Sequence, residues 1–489
     1  MQCFMLQMVL LKIAFCVDGM ISEDAGLKIS LSSEGLFHLA DAAVKFGAKE
    51  LVKITLPEIS GSTKAAGGTV TYDLTNMRVV NEIQPSFNVH LVLKEGVKIQ
   101  ISDMLVRLSG NWRYRYKIGF IDITDHGSFD AKLSGLVLSI YLSPVKTQDG
   151  KLQINTMNCA GKFNDVDLDI HSKVSWLYDL IKDNIEKSAN QPCAIFEQIR
   201  TSVLNKYLLK LPMHFSVTSS LTFDYQLHDA PAINDGSVDF YLNGQFSAVE
   251  TNKLFNRLPQ MDQKRSGGAS DRMADATVSQ NLINSLVYSL KQSSYLRRVV
   301  TKNDLPKYMD GFLNTTCLTF KCFAFFIPQL GKLYPNSFVE ITINSEQIPD
   351  GKILKDGILI SVKNLTIDFQ ARFPNNSLVD LFTFAVNTSL VVSINITKDA
   401  STVFWHVGNF TFNSQLERSY ISWIPSYLMS KISGFVLRFA VITEINLRGK
   451  TGLKIKSIPN IELLDTEVHF NDGFVSAGCN FRLKTKFDW

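Results

Sequence analysis

The chain contains none of the short motifs that mark the common catalytic sites. It has no G-x-S-x-G turn for a serine nucleophile, no H-E-x-x-H zinc motif, no G-x-x-x-x-G-K-[ST] phosphate loop and no dinucleotide-binding glycine fingerprint. Its eight histidines are scattered singly, so no metal site is predicted. Asp165, Asp167 and Asp169 are better explained as the wet face of a strand than as cation ligands. We therefore expect a binding protein rather than an enzyme.

Long apolar runs are absent beyond the first twenty residues. The segment from Phe4 to Val17 is mainly apolar, broken by Gln7 and Lys12, and it is too short to span a bilayer. Small residues follow near Gly19, which is typical of a secretory signal peptide, although no Lys or Arg precedes the apolar stretch. We interpret residues 1–19 as a signal peptide and expect a secreted protein without a transmembrane anchor.

The length of 489 residues predicts two domains, and their patterns are similar. In each half a helix-like apolar period comes first, strand-like alternation follows, and a long amphipathic helix comes later. Around residues 258–275 this periodicity is lost and the sequence turns polar and glycine-rich, as in a linker. We place the first domain at residues 20–247, the linker at 248–272 and the second domain at 273–489.

The change from strand-like to helical spacing of apolar residues is clearest between Cys159 and Leu211. Val166, Leu168 and Ile170 alternate with aspartates, as in a strand with one wet face. Apolar residues then recur at helical spacing, at Trp176, Leu177, Leu180, Ile181 and Ile185. A second helical run leads to the end of the segment. The segment therefore predicts a strand followed by two helices.

This segment resembles one family, the bactericidal/permeability-increasing and lipopolysaccharide-binding proteins with the phospholipid and cholesteryl ester transfer proteins. The shared order of cysteine, strand, V-x-W-L, helix, cysteine and L-P is found here at Cys159, Val174-Ser175-Trp176-Leu177, Cys193 and Leu211-Pro212. Three more regions look like the family's first strand and helix, its G-x-W hairpin and the R-M that opens its second half, namely residues 26–57, residues 101–135 and Asp271-Arg272-Met273. The resemblance covers nearly the whole chain.

The resemblance implies an α+β fold of two pseudo-repeated super-roll barrels. In each barrel a curved antiparallel sheet wraps around a long helix, and a central sheet joins the two barrels into a boomerang-like molecule. It also implies a disulfide bond between Cys159 and Cys193, which would hold a strand against the helix packed on it.

In this family each barrel holds a phospholipid in an apolar slot, so the resemblance implies bound phospholipid and no other cofactor. Such a slot needs only a dry lining, since each buried methylene group contributes about 0.8 kcal/mol. The residues that are expected by position to line the slot are Leu36, Leu39, Ala43, Val44, Leu177, Leu180 and Ile181. Ordinary packing in the core explains each of them equally as an alternative.

Cations alternate with aromatic residues between positions 107 and 117. The segment matches the family's basic tip hairpin in place, and cations beside amphipathic rings suit anionic head groups of phospholipid or lipopolysaccharide. A solvated hairpin protected by charge explains the same pattern. The expected head-group contacts are Arg107, Trp112, Arg113, Arg115 and Lys117.

Three of the seven cysteines lie outside both the signal peptide and the implied disulfide. Cys317 and Cys322 are five residues apart in a strand-like run, where their side chains would point to opposite faces, so we do not expect a bond between them. The alternatives are a bond from one of them to Cys479, or three buried thiols.

Every N-x-S/T sequon lies in the second half, and the first 313 residues contain none. This confinement favours an exposed, glycosylated second domain of a secreted protein. The predicted glycosylation sites are Asn314, Asn364, Asn375, Asn387, Asn395 and Asn409.

Charge is divided unevenly between the halves. Residues 20–247 carry 22 Lys and Arg against 25 Asp and Glu, a net charge of −3, whereas residues 248–489 carry 27 against 20, a net charge of +7. Bactericidal members of the family have a strongly cationic first domain. The weaker charge here favours lipid carriage or transfer over capture of a polyanionic bacterial surface.

We therefore expect a secreted protein that holds phospholipid-like chains, transfers or presents them, and contacts membrane or lipoprotein surfaces peripherally. The first alternative is a lipopolysaccharide-binding protein of innate immunity. The second is an extracellular carrier of another apolar ligand. No nucleic-acid partner is expected.

Overall fold

The computed structural model describes residues 25–52, 56, 58–65, 67–83, 86–93, 95–170, 175–189, 192–249, 272–305, 311–317, 322–421, 424, 426–454 and 461–483. Within these residues the chain forms an α+β fold with four antiparallel sheets. Two are large curved sheets, one in each half. A third sheet is central and takes strands from both halves.

The first half opens with strand β1 (Leu27–Ser32) and helix α1 (Ser33–Leu51). Its large sheet has the order β2-β3-β5-β6-β7, with β4 paired to β5 and β8 paired to β6. The strands are β2 Ile59–Ala65, β3 Gly68–Ile83, β4 Ser86–Val92, β5 Gly96–Ile118, β6 Ile121–Lys146, β7 Leu152–Lys162 and β8 Asp165–Ile170.

A helical run follows this sheet, as the sequence predicts. It comprises α2 Ser175–Ala189, α3 Pro192–Ile199, a π-helical turn Arg200–Asn205 and α4 Lys206–Leu209. Leu177, Ile181 and Ile185 lie at four-residue intervals on α2 and are buried against the sheet, because this spacing places them on one helix face. Short strands complete the first half, β9 His214–Ser216, β10 Leu221–Asp224, β11 Ala232–Ile233, β12 Ser237–Leu242 and β13 Gln245–Ala248.

The second half repeats this order with β14 (Ala274–Ser279) and helix α5 (Gln280–Gln292). Strands and short helices follow, namely β15 Arg298–Val300, a 3-10 turn Lys302–Asp304, α6 Phe323–Phe326, α7 Gln329–Leu333, β16 Phe338–Ser345, β17 Asp350–Leu354, β18 Gly357–Arg372, β19 Leu378–Ile396 and β20 Thr402–Ser419. The last elements are α8 Ser426–Val436, a π-helical turn Leu437–Ile442, α9 Thr443–Thr451, β21 Leu453–Lys454, β22 Ile461–Asn471 and β23 Phe474–Leu483. The large sheet of this half has the order β15-β16-β18-β19-β20-β21, with β17 paired to β18.

The central sheet joins the halves in the order β11-β12-β1-β14-β23-β22. Strand β1 pairs with β12 on one side and with β14 of the second half on the other. Leu27, Ile29 and Leu31 alternate along β1 and are buried in an apolar cluster to which both halves contribute. The central sheet and the pseudo-repeat predicted from the sequence are thereby confirmed.

The side chains on the other face of strand β1 are polar, and they too are buried. Lys28 is 2% exposed, and its Nζ lies 2.8 Å from the Oδ2 atom of Asp239, which is 3% exposed. Burial raises the pKa of the neighbouring Tyr241 to about 12, and the carboxylates of Asp239 and Asp229 add to the shift. The ion pair therefore links β1 to β12 inside the protein.

The two helical runs are fastened to their sheets in the same way. In the first half the Asn205 side-chain amide accepts from the Ile154 N–H and donates to the Ile154 carbonyl, both at 2.9 Å. In the second half Asn446 accepts from the Val407 N–H at 2.7 Å and donates to its carbonyl at 3.0 Å. Each asparagine follows or ends a π-helical turn, so the repeat extends to single side chains.

The cysteine pairing differs in part from expectation. The Cys159–Cys193 disulfide is confirmed and joins β7 to α3. The prediction for the next pair is wrong, because Cys317 bonds to Cys322 with their Cα atoms 6.1 Å apart. The opposite-face argument assumed a strand, but Cys322 instead precedes helix α6. Cys479 is a free, buried thiol in β23.

The predicted domain boundaries remain predictions. Strand β13 ends at Ala248, one residue past the boundary placed at position 247, and β14 begins at Ala274. Most of the predicted linker, residues 250–271, and the predicted signal peptide, residues 1–19, lie outside the described part of the chain.

Candidate functional site

The end of the β5–β6 hairpin is the most exposed apolar part of the first half that the structure describes. Ile118 faces Ile121 across the turn, and Gly119 has a φ of 54°, a left-handed conformation that glycine adopts without a steric penalty. Phe120 is fully exposed, and Ile121 and Ile123 are 57% and 48% exposed. Phe120 is not among the residues predicted from the sequence, although an aromatic residue directly after a turn glycine indicates an exposed ring at the end of a hairpin.

These exposed side chains continue the inner face of the sheet. Ile121 and Ile123 lie at even spacing from Phe129 and Ala131 along β6, so all four point to the same face of the sheet. Phe129 and Ala131 are buried there. Helix α2 packs on that face near its first residues, where the ring of Trp176 meets that of Tyr114 edge-on at 5.0 Å. Beyond Tyr114 the same face continues through the partly buried Tyr116 to the exposed Ile123 and Ile121.

The aromatic residues of the segment point inward, not toward solvent. Trp112 is 2% exposed, packs in the core and donates its Nε1–H to the Ser128 carbonyl at 3.1 Å. Tyr114 is also buried, and burial raises its pKa, with a further contribution from Asp125. The strand alternation that exposes the cations buries these rings, so the expectation that Trp112 contacts head groups does not fit this conformation.

The cations lie on the outer face and are partly neutralised. Arg113, Arg115 and Lys117 are exposed, but the Arg115 guanidinium makes a bidentate ion pair with Asp122. Lys117 Nζ is 3.9 Å from the same carboxylate. The Arg115 hydrogen bond is the main cause that lowers the pKa of Asp122, and the same contact raises the pKa of Arg115.

Arg107 is exposed but is not part of this end of the hairpin. It lies six residues before Arg113 on strand β5, which corresponds to roughly 20 Å along a strand. Its cross-strand neighbour on β6 is Lys132. Only Arg113, Arg115 and Lys117 of the five expected head-group contacts therefore lie together on an exposed surface.

The residues expected to line one slot belong to two different apolar clusters. Leu177 and Ile181 are buried against the first large sheet, with Leu180 partly buried beside them. Leu36 and Leu39 pack against the cluster of the central sheet. The last two expected residues, Val44 and Ala43, are half-buried and exposed, respectively. The structure brings each group together but does not join the two groups into one wall.

A cavity of about 110 Å³ lies in the second half, between the helical run and strands β15 and β16. Its walls are mainly apolar and include Leu313, Phe435, Val436, Phe439 and Ala440. Arg298 and Glu444 also line it, with Nη1 of the arginine 3.8 Å from Oε1 of the glutamate. The Arg298 Nε atom is buried and has no hydrogen-bond partner in the described residues. No sequence pattern predicts this cavity, because its walls come from four separate segments.

All six predicted glycosylation asparagines are exposed, as glycosylated side chains must be. Asn364 and Asn387 lie side by side on β18 and β19, where the Asn364 N–H donates to the Asn387 Oδ1 atom at 3.0 Å. Their modification remains a prediction.

The described residues contain no cluster of three or more His, Cys, Asp or Glu residues that could hold a metal ion. Asp165, Asp167 and Asp169 are exposed on β8 and alternate with buried neighbours. Among the helices of the described ranges, none is both long and apolar enough to cross a membrane.

Both halves match descriptions of one protein family. The N-terminal domain of the LBP / BPI / CETP family matches residues 35–191, and its C-terminal domain matches residues 216–483. Between them these two matches include the hairpin and the cavity.

Individual relatives match over nearly their whole length. The bactericidal permeability-increasing protein of Sebastes schlegelii is 24% identical over 476 residues, covering 94% of this chain and 96% of the relative. The lipopolysaccharide-binding protein of Bos taurus is 23% identical over 472 residues, covering 95% of each. The crystal structure of lipopolysaccharide binding protein has a TM-score of 0.53 at 22% identity and covers 94% of this chain and 99% of that one, which supports the fold.

Proposed function

Because this chain belongs to the LBP / BPI / CETP family of lipid- and lipopolysaccharide-binding proteins, we propose that it is a secreted protein that binds phospholipid-like molecules. It takes up acyl chains in apolar slots and meets lipid surfaces through the end of the β5–β6 hairpin. The role is binding and carriage, with phospholipid as the bound molecule and membranes or lipoprotein particles as the surfaces it visits.

The exposed end of the β5–β6 hairpin is the observation that carries this proposal. Phe120, Ile121 and Ile123 present apolar surface to water at the end of a long pair of strands. Contiguous exposed apolar surface of this kind marks a site that is covered by a partner. A bilayer surface fits, because the rings and methyl groups enter the acyl region while Arg113 and Lys117 remain at head-group level.

The cavity of the second half supports the uptake of chains. Its apolar walls suit part of an acyl chain, which gains about 0.8 kcal/mol per buried methylene group. The unpaired Nε donor of Arg298 suits an oxygen of a polar head at the same place. An amphipathic ligand satisfies both features, whereas a purely apolar ligand leaves the arginine donor unpaired.

The test compares vesicle binding by two variants. In Phe120→Asp the apolar tip is lost, and we expect binding to phosphatidylcholine vesicles to weaken about tenfold or more, as the burial of one phenyl ring predicts. Leu93→Asp is the matched control, since Leu93 is 57% exposed at the turn on the opposite end of β5. Equal binding by the two variants would contradict the proposed contact.

Uptake of chains is tested separately by native mass spectrometry of the protein purified from a eukaryotic secretion medium. We expect phospholipid to remain bound. A protein that carries no lipid, and that takes up none from vesicles, would overturn the carrier function.

Lipopolysaccharide is the second candidate ligand, favoured by the name of the Bos taurus relative and by the exposed Arg113. The ion pairs of Asp122 reduce the free positive charge beside it, which favours phospholipid as the first candidate. Binding to lipid A vesicles that is at least tenfold tighter than to phosphatidylcholine, and that falls in Arg113→Ala, would reverse this order.

A further inference from the structure

A surface groove in the second half adjoins the cavity described above, with which it shares Thr443 and Leu447. It is formed by β19, β20 and helix α9, and its volume of about 590 Å³ is in the range of small-ligand sites. The strands contribute Asn395 and Phe404, and the helix contributes Leu447 and Lys450. One wall therefore contains a residue that the sequence predicts to be glycosylated.

Asn395 and Phe404 are direct partners in the antiparallel register of β19 and β20. Opposite residues point to the same face of a sheet, with their Cβ atoms about 4.5–5.5 Å apart. Asn395 is exposed, and the half-buried Phe404 joins none of the apolar clusters formed by the described residues. Leu447 across the groove is 59% exposed. The groove thus offers apolar surface to solvent directly beside an attachment point for a sugar.

The groove is held in shape by contacts that its own lining residues make. The Trp405 Nε1–H donates to the Ile445 carbonyl at 3.0 Å, and the backbone of Gly449 packs so closely on this strand that a Cβ there would lie 2.8 Å from Trp405 Cδ1. Asn446 bonds both backbone groups of Val407. A preformed groove needs little ordering when a ligand enters.

We propose that this groove binds the N-linked glycan carried by Asn395, with the first N-acetylglucosamine lying over the ring of Phe404. The C–H face of a pyranose is apolar and packs on an aromatic ring, while the Lys450 ammonium donates to the sugar oxygens. Attachment to Asn395 keeps the sugar at a high local concentration, so a weak contact is enough to keep the groove occupied.

The attachment is the ordinary transfer from a lipid-linked pyrophosphate oligosaccharide. The Asn395 Nδ2 atom forms the bond to the anomeric carbon and loses one proton, and the lipid pyrophosphate leaves. This step needs passage through the secretory pathway, on which the proposed function also rests. It does not need lipid binding, so the two can fail independently.

Asn387 provides an internal comparison on the same strand. It is exposed like Asn395, but its partner across β19 and β20 is the polar Asn413. A glycan on Asn387 therefore has no aromatic ring opposite its attachment point. Asn387 also accepts a hydrogen bond from the Asn364 N–H at 3.0 Å, so the variant Phe404→Thr, and not the comparison alone, isolates the contribution of Phe404.

The test is the rate at which a peptide N-glycosidase removes each glycan from the folded, secreted protein, followed by glycopeptide mass spectrometry. In the natural protein we expect removal at Asn395 to be about three- to tenfold slower than at Asn387, the range expected for one aromatic contact. In Phe404→Thr the two rates should become equal, with the rate at Asn387 unchanged as evidence of a native fold.

Three results would overturn the proposal: equal rates in the natural protein, slow removal at Asn395 that persists in Phe404→Thr, or an unmodified Asn395. The first and third need no variant, so the proposal remains falsifiable if Phe404→Thr fails to fold. Vesicle binding measured on the same samples reports on the proposed function separately.

Discussion

Asp122 determines how much positive charge the β5–β6 hairpin presents. It accepts hydrogen bonds from Nε and Nη2 of Arg115, and one of its oxygens lies 3.9 Å from Nζ of Lys117. These cations lower the pKa of Asp122, so its carboxylate stays ionised to a lower pH than that of an unpaired aspartate. A count of cations in this segment therefore overstates its attraction for anionic lipid.

Replacing this carboxylate should strengthen binding to anionic membranes. In Asp122→Asn we expect affinity for phosphatidylserine vesicles to rise about two- to fivefold, since the exposed pair no longer competes for Arg115. The gain should vanish at high salt and be absent with phosphatidylcholine. Asp165→Asn, an exposed carboxylate on β8, is the control. Vesicle co-sedimentation measures both, and an equal gain in the control would contradict the role of Asp122.

The sequence pattern predicts that side chains alternate between the two faces of this hairpin, but it does not show which face is buried. Arg113 and Trp112 must point to opposite sides of a strand, and only the packing of helix α2 decides which side is dry. The pairing of Arg115 with Asp122 depends on the register, which the turn at Gly119 fixes. Cys317 and Cys322 were misjudged for a related reason, since a helix rather than a strand follows the pair.

The two disulfides close loops of different length. Cys159–Cys193 joins β7 to α3 across a separation of 34 residues, whereas Cys317–Cys322 spans five. In the chain-entropy model the longer loop contributes more, because the bond removes more freedom from the unfolded chain.

Removing each bond should therefore have unequal effects. We expect the free energy of unfolding to fall by about 4 kcal/mol in the double variant Cys159→Ser, Cys193→Ser, and by about 2 kcal/mol in Cys317→Ser, Cys322→Ser. Guanidinium unfolding followed by circular dichroism measures both. A larger loss for the short loop would show that native-state packing, not loop length, dominates.

Helices and strands with a regular spacing of apolar residues were predictable from the sequence. The residues at which they begin and end were not. The period at Trp176 to Ile185 predicts helix α2 correctly. The spacing of Val278, Leu282 and Leu286 predicts a helix from Val278 onward, but the helix begins at Gln280, because Val278 pairs with Leu27 in the central sheet. Strand β5 runs 23 residues through register shifts near Met104, which interrupt the alternation that a sequence pattern can follow.

Across the molecule the central sheet makes the two halves depend on each other. Strand β1 lies between β12 of its own half and β14 of the other, and Ala276 and Ala477 of the second half share an apolar cluster with Ile29. Neither half keeps a complete central core when it is alone.

Cutting the chain between the halves should leave them associated. With a specific protease site inserted between Gly267 and Gly268, we expect both fragments to co-elute in size-exclusion chromatography after cleavage. They should separate only in denaturant, because β1 and β14 remain paired. Separate elution in native buffer would contradict a shared core.

The paired asparagines Asn205 and Asn446 have a consequence for solubility. Among the residues that the structure describes, strand β7 is the last of its sheet, and β20 is paired beyond β19 only at Thr402 and Val403. Each asparagine offers one acceptor and one donor to a single residue of these strands, as the next strand of a sheet would. The helices thereby occupy positions at which another molecule could add a strand, and so guard two sheet edges against aggregation.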